Sequence, residues 1–592
     1  MKHEASISTH IQPHLWEEAN RRLTAKMLQE FMYEDMIQPE SGEGHWRKLS
    51  AGASTYWFQA VPRLFDSYTV KPDSLYKEPE TEPIRAVGFL LELQQMLPMS
   101  STTVGHLIKE YQHTLLADCH LLARPVKAEA ITEMDYSELE GEMTGHPWIT
   151  YNKGRIGFNY EDYLQYAPEQ KQNVRLHWIA VQSELAHVQQ LEHIHTSSFL
   201  EEECGSAKWK EFEHKLEAYE LMPADYVFLP VHPWQWENVL ITAFAEEIAM
   251  RRIIPLGDGE DLYLPQQSVR TFVNQTDKEK YHVKLPMSIL NTLVYRGLPG
   301  ERTRIAPEVT TFIKNIWEKD EFLHTTCGLY LLGEEVSIHV DNPAYESVEG
   351  IPYQYKEMLG AIWRESIYKA LEPDEQAVTL ASLLHRDTFG TSLVSVWMKQ
   401  SGLSAEEWTA ALHQAVLPPL LHYLYQYGTV FSPHGQNTIV VLENGRPKRL
   451  IMKDFVDDVN ISDQPLPELT SISTRMKTVL RSEPPEGLVQ FVFTGLFICH
   501  YRYLAELLEE DNLLGETGFW SSVKTVIVDY QKSFPELKER FELFDLLQPE
   551  LTKLCLNRNR MIDYGYEDSD DRPHASEYGK VHNALADVPV LH

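Results

Sequence analysis

Cysteine is scarce in this chain: Cys119, Cys204, Cys327, Cys499 and Cys555 are scattered singly, with no C-x-x-C pair. That spacing offers no zinc pattern and fits reduced thiols in a cytoplasmic setting. No apolar run reaches the roughly 18 residues that suggest a membrane span. The start, Met1-Lys2-His3-Glu4-Ala5-Ser6, has neither an apolar core nor a small-residue cleavage site, so nothing argues for export. Basic charge is also short, with 53 Lys and Arg against 87 Asp and Glu and a formal charge of −34. Such a surface repels nucleic acid and anionic membrane, and neither is expected as a partner. The absence of G-x-x-x-x-G-K-[ST] and of G-x-S-x-G removes a P-loop and a serine-hydrolase elbow. No internal repeat of about 20 to 50 residues is visible, which excludes a solenoid.

What remains is the usage of a folded globular protein, 43% hydrophobic and 24% charged, in a chain of 592 residues that is too long for one core. The expected class is α+β in three parts: residues 1–195 mainly helical, 196–400 strand-rich, and 401–592 with a hairpin set among helices. Apolar positions from Leu15 through Met32 recur at three and four, the mark of an amphipathic helix, and helical patterns cover Thr81 to Leu122 and roughly 161 to 194. Tyr226 to His232 reads as a strand confined to an edge by Pro230 and Pro233. Val269 to Val273 and Tyr281 to Leu285 read as paired strands, and Leu329 to Leu332 with Val336 to Val340 as another pair. Helices are expected to return from Pro352 to Tyr427. One of them starts on the capping box Ser404-Ala-Glu-Glu407, is broken or kinked at Pro418-Pro419, and ends at Gly428. After the hairpin, Leu488 to Glu509 and Trp520 to Tyr530 are helical, and the acidic run Glu567 to Asp571 solvates a loop.

The most informative stretch is Gly428 to Asp458. His434, Gln436 and Asn437 precede an apolar run, Asn444-Gly445 supplies a type I′ turn, and a second apolar run ends at Lys453-Asp454. The hairpin brings the polar cluster and the acid-base pair to the same end. A second cluster is cationic. Ser268-Val-Arg270-Thr271 leads to Lys284, and an antiparallel partner would put Lys284 beside Arg270. Two like charges on adjacent strands repel unless an anion lies between them, whether a ligand or a nearby acid such as Glu279 or Glu301. Thr292 and Arg296, four apart, have helix spacing. Thr271 joins this cradle only if the strand ends or bulges there. His146, Lys153 and Arg155, in a glycine-rich segment, offer a second wall.

Other patterns carry less. His187, His193 and His195 do not share a helix face and read as surface histidines. His232-Pro-Trp-Gln-Trp236 reads as a packing corner with both aromatics buried. Asn437 with Asp454-Phe455 faintly resembles the magnesium-holding pair of a kinase, but Gln436 stands where a kinase has its base. A carboxylate substrate needs no base, since it attacks the α-phosphorus of ATP itself. A kinase-like phosphotransferase and a non-catalytic carboxylate-binding protein stay open as alternatives.

Taken in order, His146-Pro147, Lys153-Gly-Arg-Ile-Gly157, His232-Pro-Trp-Gln235, Ser268-x-Arg270-Thr271, Lys284-Leu285, Thr292 with Arg296, His434-Gly-Gln-Asn437 and Lys453-Asp454-Phe455 resemble the IucA/IucC family of siderophore synthetases. The resemblance runs from about residue 140 to 460. It implies a cupped hand of three subdomains (thumb, fingers and palm) around a central cleft. It also implies that Ser268, Arg270, Thr271, Lys284, Gln436, Asn437 and Asp454 hold ATP, with Asp454 on Mg2+. His146, Lys153, Arg155, Thr292, Arg296 and His434 would hold citrate or a citryl half-product. Arg296 and His434 are the implied catalytic pair. The implied reaction is adenylation of a carboxylate and capture by an amine, a polyamine or hydroxamate amine, or by a hydroxyl, in a homodimer. His146-Pro147-Trp148-Ile149 lacks the second His-Pro that many relatives carry close behind, which implies a different recognition of the acid. Gly145-His-Pro-Trp148 with Asn152-Lys153-Gly154 resembles the branch that finishes a siderophore from a half-built monoamide, or links hydroxamate half-products, more than the branches that start from free citrate. Lys553, Arg558 and Arg560 either reach the cleft or pair at the surface.

Overall fold

The computed structural model describes residues 3–79, 83–569, 572 and 575–591. Met1-Lys2, Thr81 at the head of the second helical pattern, and Asp570-Asp571 of the acidic run lie outside the described residues.

After the short helix Glu4–His10, the first long helix spans Pro13–Tyr33, opens with proline in its first turn and buries Ala19, Leu23, Met27, Leu28 and Phe31 along one stripe. It packs on the helix Ser101–Leu122. The region between them differs from the helical expectation: residues 40–78 form a five-stranded antiparallel sheet in which Tyr76–Glu78 returns to pair with Ser54–Arg63. The signal was the period of two in Ser54–Arg63, where Tyr56, Phe58 and Ala60 turn inward and their neighbours do not.

Residues 161–194 also depart from expectation. After the short helix Tyr160–Tyr166 the chain forms the strands Val174–Gln182 and Ala186–Gln190. Val174, Leu176 and Trp178 alternate inward, and Ile179-Ala-Val181 is buried on both faces. Both strands enter an eight-stranded sheet that curls as a half-barrel. Its order runs Ala186–Gln190, Glu334–Val340, Gly360–Arg364, His282–Lys284, Thr271–Asn274, Ile253–Pro265, Val174–Gln182, Tyr226–Val231. Tyr226–Val231, which carries Pro230, is at the edge as expected, while the interior strand Ile253–Pro265 accommodates Pro255 at a register shift opposite Ile179.

Leu329 to Val340 is not a hairpin. Tyr330–Leu331 runs parallel to Arg446–Met452 in a four-stranded sheet, while Glu334–Val340 belongs to the large sheet. Every residue of the latter is buried, so it needs a neighbour on each side. The stretch expected to be helical after Pro352 holds the strands Gly360–Arg364 and Glu375–Thr379. The Ser404 capping box is present, and the helix Ala405–Tyr427 continues through Pro418-Pro419 to Gly428 at φ 55°. Its packing against Glu516–Ser533 and Arg446–Met452 outweighs the lost hydrogen bonds.

The hairpin forms as expected. Thr438–Glu443 pairs with Arg446–Met452, Asn444 and Gly445 have φ of 52° and 77°, and Thr438 faces Met452 at the far end. The helical stretch Pro485–Glu510 closes the core. It has the length and mean hydropathy (1.2) of a membrane span, but 78% of that window is buried inside the protein.

Candidate active site

At the open end of the hairpin the chain leaves Met452, passes Lys453 and puts Asp454 in the left-handed region, φ 64° and ψ 53°, before the short helix Phe455–Asp458. Three carboxylates, Asp454, Asp457 and Asp458, therefore follow one another at spacings of three and one. Lys284 Nζ donates to Asp454 (3.0 Å) and Asp457 (2.7 Å). Arg270 donates to Asp457 (3.0 Å), and Arg364 to Asp454 (2.9 Å). The anion that the paired strands required is thus Asp457, with neither Glu279 nor Glu301 involved. Thr271, not Arg270, is the direct partner of Lys284 across the strands. The strand starts only at Thr271, since Val269 has φ 67° and Ser268 Oγ accepts the Thr271 N–H (3.0 Å). Burial alone would raise the Asp454 pKa, but Lys284, Arg364 and Lys453 outweigh it and hold the carboxyl below its ordinary range. Asp457 is held well below the ordinary range against the same burial, chiefly by Lys284 and Arg270.

Asn437 donates to the Asp458 carboxylate, and its own side-chain oxygen is buried without a donor. His434 Nδ1 accepts the Gln436 N–H (3.3 Å), and its Nε2 is 3.5 Å from Asp458. These carboxylates and the open amide oxygen are donors of the kind Mg2+ takes, but among the described residues their ligand atoms do not converge on one point as those of His339, Asp341 and Glu346 do.

Beside this network lies a cavity of about 1050 Å³. Its walls come from the helix Pro13–Tyr33, the segment 143–155, the turn at Thr292, residues 379–388, the loop Ser432–Gln436 and the helical stretch Pro485–Glu510. His146, Ser268, Thr292, Arg296, His434 and Gln436 all line it. Thr292 and Arg296 are not on a helix. Met287–Asn291 and Val294–Arg296 form a tight hairpin with Thr292 and Leu293 at φ 45° and 79°, and Arg296 folds back to donate to the Thr292 carbonyl (3.3 Å). That is the only acceptor found for Arg296 among the described residues, and its Nε is buried without a partner. Loss of water, with Arg270 and Arg572 near, lowers its pKa to about 9. The site is therefore a poor place for a lone cation and a good one for an anion.

His146 Nδ1 accepts the N–H groups of Trp148 (3.2 Å) and Ile149 (3.1 Å), which leaves Nε2 to carry the proton, 3.6 Å from Cys499 Sγ. Burial, then Lys26 and His434, brings its pKa down to about 3, so the ring is neutral. Lys153 and Arg155 also border the cavity but hold acids, Asp118 at 2.7 Å and Glu169 through two bonds of 2.6 and 2.8 Å.

The remaining sequence readings resolve as follows. His187 lies on a strand and pairs with Asp341 (2.7 Å). In the His232 corner Trp234 is buried, Trp236 is only half-buried, and Gln235 donates to Ser288 and to the Met358 carbonyl. Lys553 pairs with Asp35 (2.6 Å), Arg558 stacks on Tyr578, and Arg560 donates to the carbonyls of Gly565 and Leu293. Lys553 and Arg560 are buried in doing so. Sequence reasoning passed over Asp457, Asp458, Arg364 and Lys26. The aspartates were legible as further acids directly behind Asp454. Lys26 was legible as a charge inside the apolar stripe of the helix Pro13–Tyr33.

A model of the IucA / IucC family matches residues 135–385, and one described as Ferric iron reductase FhuF-like transporter matches 406–569. Rhizobactin siderophore biosynthesis protein RhbF of Rhizobium meliloti (strain 1021) is 40% identical over 99% of this chain and 98% of its own length. Putrebactin synthase of Shewanella sp. (strain MR-4) is 34% identical over 93% of this chain and 88% of its own. The structure of aerobactin synthetase IucC from a hypervirulent pathotype of Klebsiella pneumoniae superposes with a TM-score of 0.86 at 29% identity. It covers 97% of this chain and 98% of its own.

Proposed function

The chain belongs to the IucA/IucC family and is a ligase of siderophore biosynthesis; from that premise we propose that it adenylates a carboxylate of citrate or a citryl half-product with ATP and transfers the acyl group to an amine. The observation that carries the reading is Arg296, a cavity-facing guanidinium with a buried, unpartnered Nε and a second cation, Arg270, close by. A guanidinium so placed recognises carboxylate or phosphate. His434 lies between this anion pocket and the Asp454–Asp458 carboxylates. It is positioned to meet charge that develops at the α-phosphate.

Ser268, Arg270, Thr271, Lys284, Gln436 and Asn437 would hold the nucleotide, and Asp454, with Asp457 and the Asn437 oxygen, the Mg2+ that screens its phosphates. His146, Thr292, Arg296 and His434 would hold the acid. Lys153 and Arg155, engaged by Asp118 and Glu169, would shape that wall. The neutral His146, with Nε2–H facing the cavity, offers the acid a hydrogen bond and no charge. The segment at His146 to Gly154 favours a half-built monoamide over free citrate.

The test is a pyrophosphate-release screen of acids against amines with mass detection of product. The expected result is release only with ATP, Mg2+ and a suitable acid, AMP as the nucleotide product, and amide only when an amine is present. Formation of ADP would replace this reading with phosphotransfer.

A further inference from the structure

The condensation needs a step that none of the groups above performs. A primary amine is protonated at neutral pH, and the nitrogen that attacks an acyl carbon must give up a proton. His146 has its Nδ1 lone pair committed to two backbone N–H groups, and His434 Nδ1 accepts the Gln436 N–H. Arg296 has no lone pair to offer.

Lys26 does. It projects from the helix Pro13–Tyr33 into the cavity wall. Its Nζ donates to the carbonyls of His146 (2.7 Å) and Ile149 (2.8 Å). No carboxylate of the described residues lies within ion-pair distance of it. A neutral amine has two N–H bonds and one lone pair. The two carbonyls use both N–H bonds, so the lone pair is the position left over, on the residue that holds the His146 segment in place.

We infer that Lys26 is the general base of the acyl-transfer half-reaction. This rests on the adenylation reading above. The amine nitrogen bonds to the acyl carbon and the bond from that carbon to the AMP oxygen breaks, its electron pair leaving on the phosphate. The incoming ammonium first gives one proton to the Lys26 lone pair, which later passes it to solvent, and the second proton, on the nitrogen of the new C–N bond, leaves with the departing phosphate. The surroundings suit the role. Burial is the main cause, with Lys153 next, that brings the Lys26 pKa down to about 7, while Glu30 on its own helix, Asp118 and Cys499 oppose it. A base poised near the working pH contributes on the order of 10² to 10⁴ in rate.

The experiment separates the two half-reactions, using the acid and primary amine selected in the pyrophosphate screen, and hydroxylamine in place of that amine. Hydroxylamine is already unprotonated at neutral pH and needs no base. Lys26→Met should slow amide formation on the order of 100-fold, with ATP–pyrophosphate exchange and hydroxamate formation falling much less. Lys26→Arg keeps donors for both carbonyls and cannot be neutral. It should lose amide formation as Lys26→Met does, which guards against a variant that merely loosens the His146 segment. In wild type the amide step should rise with pH through about 7, and in the variants that limb should move upward. Equal losses in exchange, hydroxamate and amide formation would make Lys26 an acid-binding or structural residue and overturn the inference alone. Full amide activity in Lys26→Arg would overturn it too. Wild-type protein without acid-dependent pyrophosphate exchange overturns the adenylation reading and this inference with it.

Discussion

Lys284 and Arg296 are cations on strands of two different sheets, Arg296 lining the cavity and Lys284 buried in the network beside it, and their surroundings are opposite. Lys284 is 4% exposed and has Asp454 and Asp457 within 3.0 Å. Arg296 donates to one backbone carbonyl and has two arginine neighbours, while Asp457 and Tyr353, among the described residues, act on it only through space, without a hydrogen bond or ion pair. The electrostatics of Lys284 are spent inside the protein, on holding the carboxylates of the Asp454 turn. Those of Arg296 are unspent. A charge held in place without a partner stabilises a ligand or transition state without first having to let go of anything. The paired cation should therefore matter most to folding, and the unpaired one most to turnover.

The largest expected effect comes from breaking the paired side. Lys284→Met leaves the buried Asp454 and the half-buried Asp457 short of their shared cation, and the loss of one partner from a buried pair costs about 3–5 kcal/mol. The urea midpoint should fall with an unchanged m value, and activity should go with it. Adding Asp457→Asn to Lys284→Met should restore part of that loss, because it removes one of the uncompensated charges. If the double variant is no better than the single, the network is not what Lys284 contributes.

The same cut on the unpaired side should read differently. Arg296→Ala should lower kcat/KM by about 10² to 10³, while the melting temperature holds or rises, since a cation without a counter-charge is removed and no core packing is lost. A melting temperature that drops as far as in Lys284→Met would erase the distinction between the two.

Acid should sharpen it. Asp454 and Asp457 titrate below their unfolded value of about 3.9, so their contribution to stability is fully present above that value and is lost as pH falls through the folded pKa. Urea unfolding followed from pH 6 downward should show stability falling below about 4 in wild type. Asp457→Asn should flatten that limb, and Arg296→Ala should leave it in place.

How far the sequence carried this comparison depends on the range of the forces involved. Asn444-Gly445 is a local instruction, since few residues accept positive φ, and the hairpin formed where those two residues put it. The capping box at Ser404 is equally local. Glu334–Val340 is the opposite case. Its buried pattern marks a strand but names no partner, and the apparent hairpin with Tyr330 divides between two sheets. Residues 174–190 read as helix although Val174, Leu176 and Trp178 alternate; only Ile179-Ala-Val181 is buried on both faces, with no period to betray it, and Ala186–Gln190 is largely exposed. At the site, the need for an anion between Arg270 and Lys284 followed from charge alone. That Asp457 supplies it depends on the left-handed turn at Asp454, some 170 residues further along the chain. The emptiness around Arg296 was beyond reach of the sequence, because it is a property of everything that does not come near.

The smallest effect calibrates the rest, and it uses the hairpin's other end. Gly445 has φ of 77°, and a Cβ there would stand 2.6 Å from the Trp397 carbonyl oxygen. Its own carbonyl accepts the Trp408 indole N–H at 2.7 Å, which ties the turn to the helix Ala405–Tyr427. Gly445→Ala must therefore adopt a disfavoured backbone and push on a neighbouring chain, at about 1–3 kcal/mol. The strain falls at Asn444-Gly445, while Thr438 and Met452 set the register at the end that carries His434 and Asp454. Thermal denaturation should register the loss, and kcat/KM measured well below the transition should stay within about twofold of wild type, the response of a site not mechanically coupled to the turn. A large fall in kcat/KM at full folding would mean that the strands transmit the strain. The position of Asp454, and with it the paired half of the cleft, would then depend on the turn at the opposite end.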